Sequence, residues 1–275
     1  MLIYGPPGVG KTWLGMDFPE PYYIDTEGGA RLAHYQAKLK ASGGVYMGVE
    51  SGALDFPTLI EEVKLLATEK HGYRTLVIDS LTKVYQTAIA IESERLGSLD
   101  QFGASKKAGI SAMRQLIRWI MRLDMNVVFI AHETSEWGKN EKTGQREEIG
   151  KMADTWEKLP FELDLALQAI KQGSTRYAVV TKTRLTGFPD RERFPLSYAE
   201  FATRYGKDFI EAEAKPIVLA TPEQVAEIER LMRVVKVDES TVEKWNKKAG
   251  ADTFAEYSTE HAAGVISFLT KSVTP

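Results

Sequence analysis

Eight residues near the amino terminus, Gly5-Pro6-Pro7-Gly8-Val9-Gly10-Lys11-Thr12, constrain the fold of this chain more than any other stretch. They fit G-x-x-x-x-G-K-[ST], in which the backbone N–H groups of a glycine-rich loop wrap a chain of phosphates. Glycine is needed there because the wrap demands close backbone approach and φ > 0. Lys11 supplies a point charge for the β- and γ-phosphates, and Thr12 a hydroxyl for Mg²⁺. A chain of this length would match the pattern by accident roughly once in a hundred times. The context narrows this further, because Leu2-Ile3-Tyr4 reads as a buried strand entering the loop and residues 11–16 as a helix opening toward the anion. The expected nucleotide-binding set is Gly5, Pro6, Pro7, Gly8, Val9, Gly10, Lys11, Thr12 and Trp13, with ATP and Mg²⁺ as ligands. The first strand has three residues after Met1 against the usual about five, which reads as a trimmed or variant start.

A strand, a phosphate loop and a helix imply an α/β sheet, and 275 residues suggest one core of about 200 residues with a small appendage. No run of 18 apolar residues and no charged start followed by an apolar core is present, so a soluble protein is expected, without a membrane partner. The absence of cysteine excludes disulfides and thiolate zinc sites and fits a reducing cytoplasm. A net charge of −3 does not advertise nucleic-acid binding, so any such site must be a local patch.

Pro21-Tyr22-Tyr23-Ile24-Asp25 reads as the second strand, followed by Thr26-Glu27-Gly28-Gly29. Carboxylates at the C-terminal end of a strand in such a sheet lie on the rim where ligands bind. Glu27 is thus a candidate to orient the attacking water, while Asp25 fits a turn cap better. Residues 45–49 form a third apolar run, and a helix starts near Asp55. Thr75-Leu76-Val77-Ile78-Asp79-Ser80 is an apolar run ending in Asp, as a strand beside the phosphate loop requires if its carboxylate is to reach the Mg²⁺ shell. Helices are expected over 81–96 and 104–123. In the second, Arg114, Arg118 and Arg122 recur at i, i+4 and i+8, which reads as a solvated face or a nucleic-acid track. Residues 126–131 form a strand ending in His132-Glu133, which puts a polar side chain at the rim where it could report a γ-phosphate. Residues 134–154 are polar, glycine-containing and without period, so they read as a long functional loop.

Strands over 165–171 and 176–184 then flank Gln172-Gly173-Ser174-Thr175 as a hairpin, and Lys182 and Arg184 alternate onto one face of the second strand. Two cations there suit phosphate contact, or protection of an edge.

This order, a phosphate loop, Asp-Thr-Glu after strand two, an apolar run ending Asp-Ser, a strand ending in a polar residue before a long loop, and a hairpin with Lys-x-Arg, resembles the RecA/RadA-like recombinase ATPases over residues 1–200. The resemblance implies an α/β RecA-like core with a mainly parallel sheet flanked by helices and a C-terminal β-hairpin. It assigns water activation to Glu27, γ-phosphate sensing to His132, single-stranded DNA contact to 134–154, and insertion into a neighbouring subunit's site to Lys182 and Arg184. The catalytic set so implied is Lys11, Glu27, Asp79, His132, Lys182 and Arg184, with Thr12 and Asp79 on the metal. This chain departs in carrying His132 where bacterial RecA has Gln, and it reads as a core without an amino-terminal oligomerisation domain. Residues 133–158 also hold five basic against seven acidic side chains.

In size the chain is most similar to phage RecA-like proteins of recombination or single-strand annealing. That likeness implies a DNA-stimulated ATPase, assembled as a ring or filament of identical subunits, with a single-stranded DNA-binding protein as a further partner. A protein-remodelling or helicase-loading ATPase shares the same nucleotide motifs, and a nucleotide kinase would need a basic lid closing in cis.

The expected division is a core over 1–212, a linker over 213–220 and a helical module over 221–275, with 207–215 reading as a charged connector. Thr221-Pro222-Glu223-Gln224 is a capping box with Pro at the first helical position. Trp245, beside Lys244, Lys247 and Lys248, reads either as core or as a platform for a nucleic-acid strand.

Overall fold

The computed structural model describes residues 1–140 and 143–273. Its strands are β1 (Leu2–Tyr4), β2 (Pro21–Asp25), β3 (Val45–Met47), β4 (Thr75–Asp79), β5 (Asn126–Ala131), β6 (Glu133–Lys139), β7 (Arg146–Ala153), β8 (Leu165–Gln172), β9 (Thr175–Thr183) and β10 (Arg193–Pro195). The helices are α1 (Lys11–Asp17), α2 (Ala33–Ala41), α3 (Phe56–Thr68), α4 (Leu81–Leu96), α5 (Ala104–Ile120), α6 (Leu159–Glu162), α7 (Tyr198–Phe201), α8 (Lys207–Ile210), α9 (Pro222–Val235), α10 (Glu239–Ala249) and α11 (Thr259–Val273). They divide into two compact units. One comprises Met1–Leu59, Gly72–Met113 and Met125–Ala214, the other Ile60–His71, Arg114–Asp124 and the described part of Lys215–Pro275.

The first unit is an α/β layer structure on an eight-stranded sheet in the order β10-β9-β8-β1-β5-β4-β2-β3. The strands from β8 to β3 are mutually parallel, β9 adds antiparallel to β8, and β10 adds antiparallel to β9. The central strands read as continuous apolar runs because both faces of a parallel sheet are covered. Leu76, Val77 and Ile78 in β4 and Phe129 in β5 have no exposed surface. Below β9 and β10, Phe188, Phe194 and Phe201 meet with ring centroids 5.6 to 5.7 Å apart. Each buried phenyl stabilises the layer by about 1.5–3 kcal/mol.

Register places the chemistry. Asp25 stands beside Asp79, Asp79 beside Ile130, and Tyr4 beside Ala131. The residues that follow β1, β2, β4 and β5 therefore emerge along one rim, where ligand crevices of open α/β sheets lie.

Two segments differ from the sequence expectation. Within residues 134–154, read as an aperiodic loop, β6 and β7 pair antiparallel from Glu133↔Ala153 to Lys139↔Arg146 with an irregularity at Glu136/Trp137. The alternation was invisible because most residues on both faces of this two-stranded sheet are at least partly exposed, so no face needs to be apolar. Residues 141 and 142 of the expected DNA-contacting segment lie outside the described residues. The charged connector expected from residue 207 begins instead with α8, which buries Ile210 in the core of this unit. There Ile210 O accepts a hydrogen bond from Asn126 Nδ2 at 2.7 Å.

In the second unit the capping box forms: Thr221 Oγ1 accepts from Gln224 N at 3.2 Å and Thr221 N donates to Gln224 Oε1 at 3.1 Å. Ile228, Leu231, Tyr257, Ala262, Val265 and Leu269 make its core, against which Trp245 packs half-buried. Arg118 and Arg122, read as a solvated face or a nucleic-acid track, make contacts inside this second unit. Arg118 pairs with Asp252 at 2.8 Å, and Arg122 donates to Glu256 O at 2.7 Å while covering the Trp119 ring. Their sequence signal, a basic stripe, is the anchor for residues 252–256. No helix among the described residues is long and apolar enough to cross a membrane.

Candidate functional site: a phosphate-loop cavity

The loop between β1 and α1 is shaped by two glycines that tolerate no side chain. A Cβ on Gly5 would stand 2.3 Å from Ala169 O of β8, so β8 can lie against the loop only if position 5 is bare. Gly10 has φ +102° and precedes α1, whose first internal bond runs from Leu14 N to Gly10 O at 3.0 Å. The Lys11 ammonium is folded back and donates to Gly5 O at 2.7 Å and Pro6 O at 2.9 Å. Burial holds its pKa below the usual lysine range, opposed by the carboxylates of Asp79, Glu133 and Glu27.

Thr12 and Asp79 meet directly: Thr12 Oγ1 donates to Asp79 Oδ2 at 2.6 Å. The same oxygen accepts from the hydroxyl of Tyr23 at 2.5 Å. Burial pushes the Asp79 carboxyl above the ordinary carboxylate range, and these two hydrogen bonds pull the other way. Tyr23, fully buried beside Asp79, is pushed well above the usual phenol range, which keeps it a donor at neutral pH.

Glu27 Oε1 accepts from Ser80 Oγ at 2.7 Å and lies 3.1 Å from His132 Nε2. Both Glu27 and His132 keep substantial exposure, 39% and 51% of the side chain, so they face the cavity rather than the core. Asp25 is spent on the turn that presents Glu27. Its Oδ1 accepts from Glu27 N and Gly28 N at 3.0 and 2.8 Å, and its Oδ2 from Ala30 N at 2.8 Å and Tyr46 OH at 3.0 Å. His132 N in turn donates to Thr82 Oγ1 at 2.9 Å.

These residues surround a cavity of about 880 Å³, within the range of small-molecule sites. Its wall includes the loop, Trp13, Glu27, Asp79 and His132. Lys182 and Arg184 are not part of it. Because β9 runs antiparallel to β8, the end of β9 lies beside Leu165, where β8 begins, on the opposite rim from the loop. There the Lys182 ammonium bonds Leu163 O, and Arg184 donates to Phe161 O at 2.6 Å and approaches Asp164 at 3.5 Å.

The wall also holds Tyr35, Glu133, Arg176 and Leu196, which sequence reasoning missed, as it missed Tyr23. No sequence pattern marks Arg176: its place depends on β8 lying parallel beside β1, which brings the turn after β8 to the loop rim.

The model of an AAA-domain family matches residues 1–194. The chain belongs to that family. This AAA-domain protein is a P-loop ATPase with a mainly parallel eight-stranded sheet. A crystal structure of the RadB recombinase is similar at 20% identity and a TM-score of 0.44, over 70% of this chain and 83% of that one. A type III secretion ATPase of pathogenic bacteria is similar at 15% identity and a TM-score of 0.41, over 99% of this chain and 80% of that one. No curated protein matches the sequence.

The residues present fit MgATP. Mg²⁺ takes few protein ligands and completes its shell with substrate phosphates and water, and Thr12 Oγ1 with Asp79 Oδ2 at 2.6 Å is such a minimal pair. Bound there, the ion would neutralise charge on the transferring phosphoryl group. The Lys11 ammonium, which loop carbonyls now satisfy, is free to exchange them for phosphate oxygens. Trp13, 46% exposed, with the Lys38 ammonium 4.3 Å over its ring and Tyr35 edge-on at 6.0 Å, gives the cavity an aromatic wall.

Proposed function

We propose that this ATPase works as a homo-oligomer on single-stranded DNA, in homologous recombination or single-strand annealing of the phage RecA-like kind, with Glu27 positioning the water that attacks ATP. The observation that carries the reading is the joint between the cavity and the β6–β7 hairpin. His132, which touches Glu27, is followed at once by β6, and after β7 Asp154 N donates back to His132 O at 2.9 Å. Both legs of the hairpin are thus tied to the residue beside the water-positioning carboxylate, so a ligand that moves the hairpin moves His132.

The hairpin's side chains suit a single strand. Trp137 and Ile149 are exposed, and the Arg146 guanidinium stands 5.3 Å over the Trp137 ring. An aromatic face with a cation beside it stacks any base, at about 1–3 kcal/mol each, without reading sequence. DNA binding is accordingly sequence-tolerant and falls with salt. Lys182 and Arg184 act on a neighbouring subunit's nucleotide, since the opposite rim gives them no reach to their own. The exposed ring of Phe161, whose carbonyl holds Arg184, supplies apolar surface at that contact.

The acidic excess of residues 133–158 favours the second reading, a protein-remodelling or helicase-loading ATPase. Fluorescence anisotropy with a labelled oligonucleotide separates the two. The wild type should bind in a salt-dependent way, and a variant lacking residues 139–150 should keep ATP binding but lose most of its DNA affinity. Unchanged DNA affinity in the deletion would remove the hairpin from the account. No DNA binding by the wild type would favour the second reading.

A further inference from the structure

We propose that Arg176 is a nucleotide-binding residue acting in cis, its guanidinium taking oxygens of the phosphate chain from the side of the loop opposite Glu27 and Asp79. The proposal rests on the reading of the cavity as an ATP site and adds a ligand contact to it.

Sheet order fixes the two flanks. β1, which delivers the loop, has β5 on one side and β8 on the other. The β5 side carries the acids and His132: Asp79 ends β4, Glu27 follows β2, and His132 and Glu133 follow β5. On the other side β8 runs parallel to β1, with Tyr4 beside Gln168, so its last residues rise past the start of the loop. β9 then begins at the same rim, with Arg176 opposite Lys171.

From there the Arg176 side chain crosses the loop. Its Cδ and Nε lie 3.1 and 3.3 Å from where a Cβ on Gly10 would stand, and it forms part of the cavity wall. A Cβ at position 10 would crowd it, so the bare Gly10 leaves room for the arginine as well as for the φ of the loop. The backbone beneath is fixed on both sides: β9 pairs with β8, and Leu196 N donates to Arg176 O at 3.0 Å.

Among the described residues the Arg176 guanidinium has no hydrogen-bond or ion-pair partner, whereas Lys11 is satisfied by carbonyls and Asp17 is paired with Lys38. Lys11 and Arg176 are the two cations among the wall residues. A planar fork of N–H donors, always charged and held over a phosphate loop without a carboxylate to bind, matches anionic phosphate oxygens better than any other group of the nucleotide. Asp79 with Thr12 provides for the metal on one flank, and Arg176 provides charge on the other.

Because the hydrolytic groups lie on the far flank, Arg176 belongs to binding of the diphosphate as much as of the triphosphate. Its loss should raise Kd more than it lowers kcat. Calorimetric titration with MgATP and MgADP tests this on wild-type, R176A, R176K and K11A proteins. R176A should bind both nucleotides about tenfold or more weakly, the loss associated with a charged hydrogen bond, and R176K should recover part of it. Its thermal midpoint should match the wild type, since the side chain is exposed. Adding excess K11A subunits, which carry an intact Arg176 but a defective loop, should not restore the affinity of R176A.

R176A binding MgATP and MgADP as tightly as wild type, while K11A binds weakly, would overturn the proposal and leave the ATP site standing. Restoration by K11A subunits would overturn the cis assignment. A wild type that binds neither nucleotide would remove the ATP site itself.

Discussion

Replacing Glu27 with Gln isolates the step that turns ATP binding into hydrolysis. Glu27 is presented by a turn whose N–H groups are held by Asp25, so its backbone position does not depend on its own carboxylate. The substituted amide keeps the size of the side chain, and its oxygen can still accept from Ser80 Oγ, now at 2.7 Å from Glu27 Oε1. What is lost is the negative charge and the basic site facing the cavity. Stability should therefore change by less than about 0.5 kcal/mol, as for an exposed position without a structural role. The affinity for MgATP should hold or tighten, because one negative charge leaves the neighbourhood of the triphosphate. A positioned base contributes about a hundredfold or more in rate, equivalent to about 2.7 kcal/mol of barrier. Steady-state hydrolysis and calorimetric ATP binding on the same preparation should therefore give kcat down at least about a hundredfold with Kd unchanged. Turnover within about threefold of wild type would refute the assignment and make Glu27 a turn residue.

Lys11→Ala should abolish hydrolysis and weaken ATP binding in titration calorimetry, since the loop loses its one cation for the β- and γ-phosphates. Gly5→Ala should lower the melting temperature and ATP affinity together, because the new methyl would stand 2.3 Å from Ala169 O and must push β8 from the loop; an unchanged melting curve would contradict that packing. Subunits carrying Lys182→Ala and Arg184→Ala, inactive alone, should regain hydrolysis when mixed with inactive Lys11→Ala subunits, since roughly a quarter of head-to-tail interfaces then join an intact loop to an intact hairpin. Mixtures that co-assemble and stay inactive would place the basic pair outside the reaction.

Most of the sheet was legible because its strands are buried on both faces and read as unbroken apolar runs. Thr75 to Asp79 and Asn126 to Ala131 end where the structure ends them, and the polar residues after them announced the rim. The β6–β7 hairpin was hidden because its largely exposed faces impose no alternation. Tyr23 was hidden because a buried aromatic in a strand looks like core until its hydroxyl is found 2.5 Å from Asp79. Arg176 lies far along the chain from the loop it crosses, and its place follows from strand order, which pattern alone does not give. The stripe of Arg118 and Arg122 had the spacing of a binding face. Its meaning depended on Asp252 and Glu256, over a hundred residues away in sequence, which take up its charges and hydrogen bonds.

The central claim is that single-stranded DNA on the hairpin controls hydrolysis at the phosphate loop through His132 and Glu27. The direct measurement is ATP hydrolysis by the wild-type protein in Mg²⁺, with and without single-stranded DNA, beside the Lys11→Ala and His132→Ala variants. The account predicts a low basal rate that rises with DNA in the wild type, none in Lys11→Ala, and a rate that no longer responds to DNA in His132→Ala. Hydrolysis that ignores single-stranded DNA in the wild type, or a His132→Ala protein stimulated as fully as wild type, would contradict it.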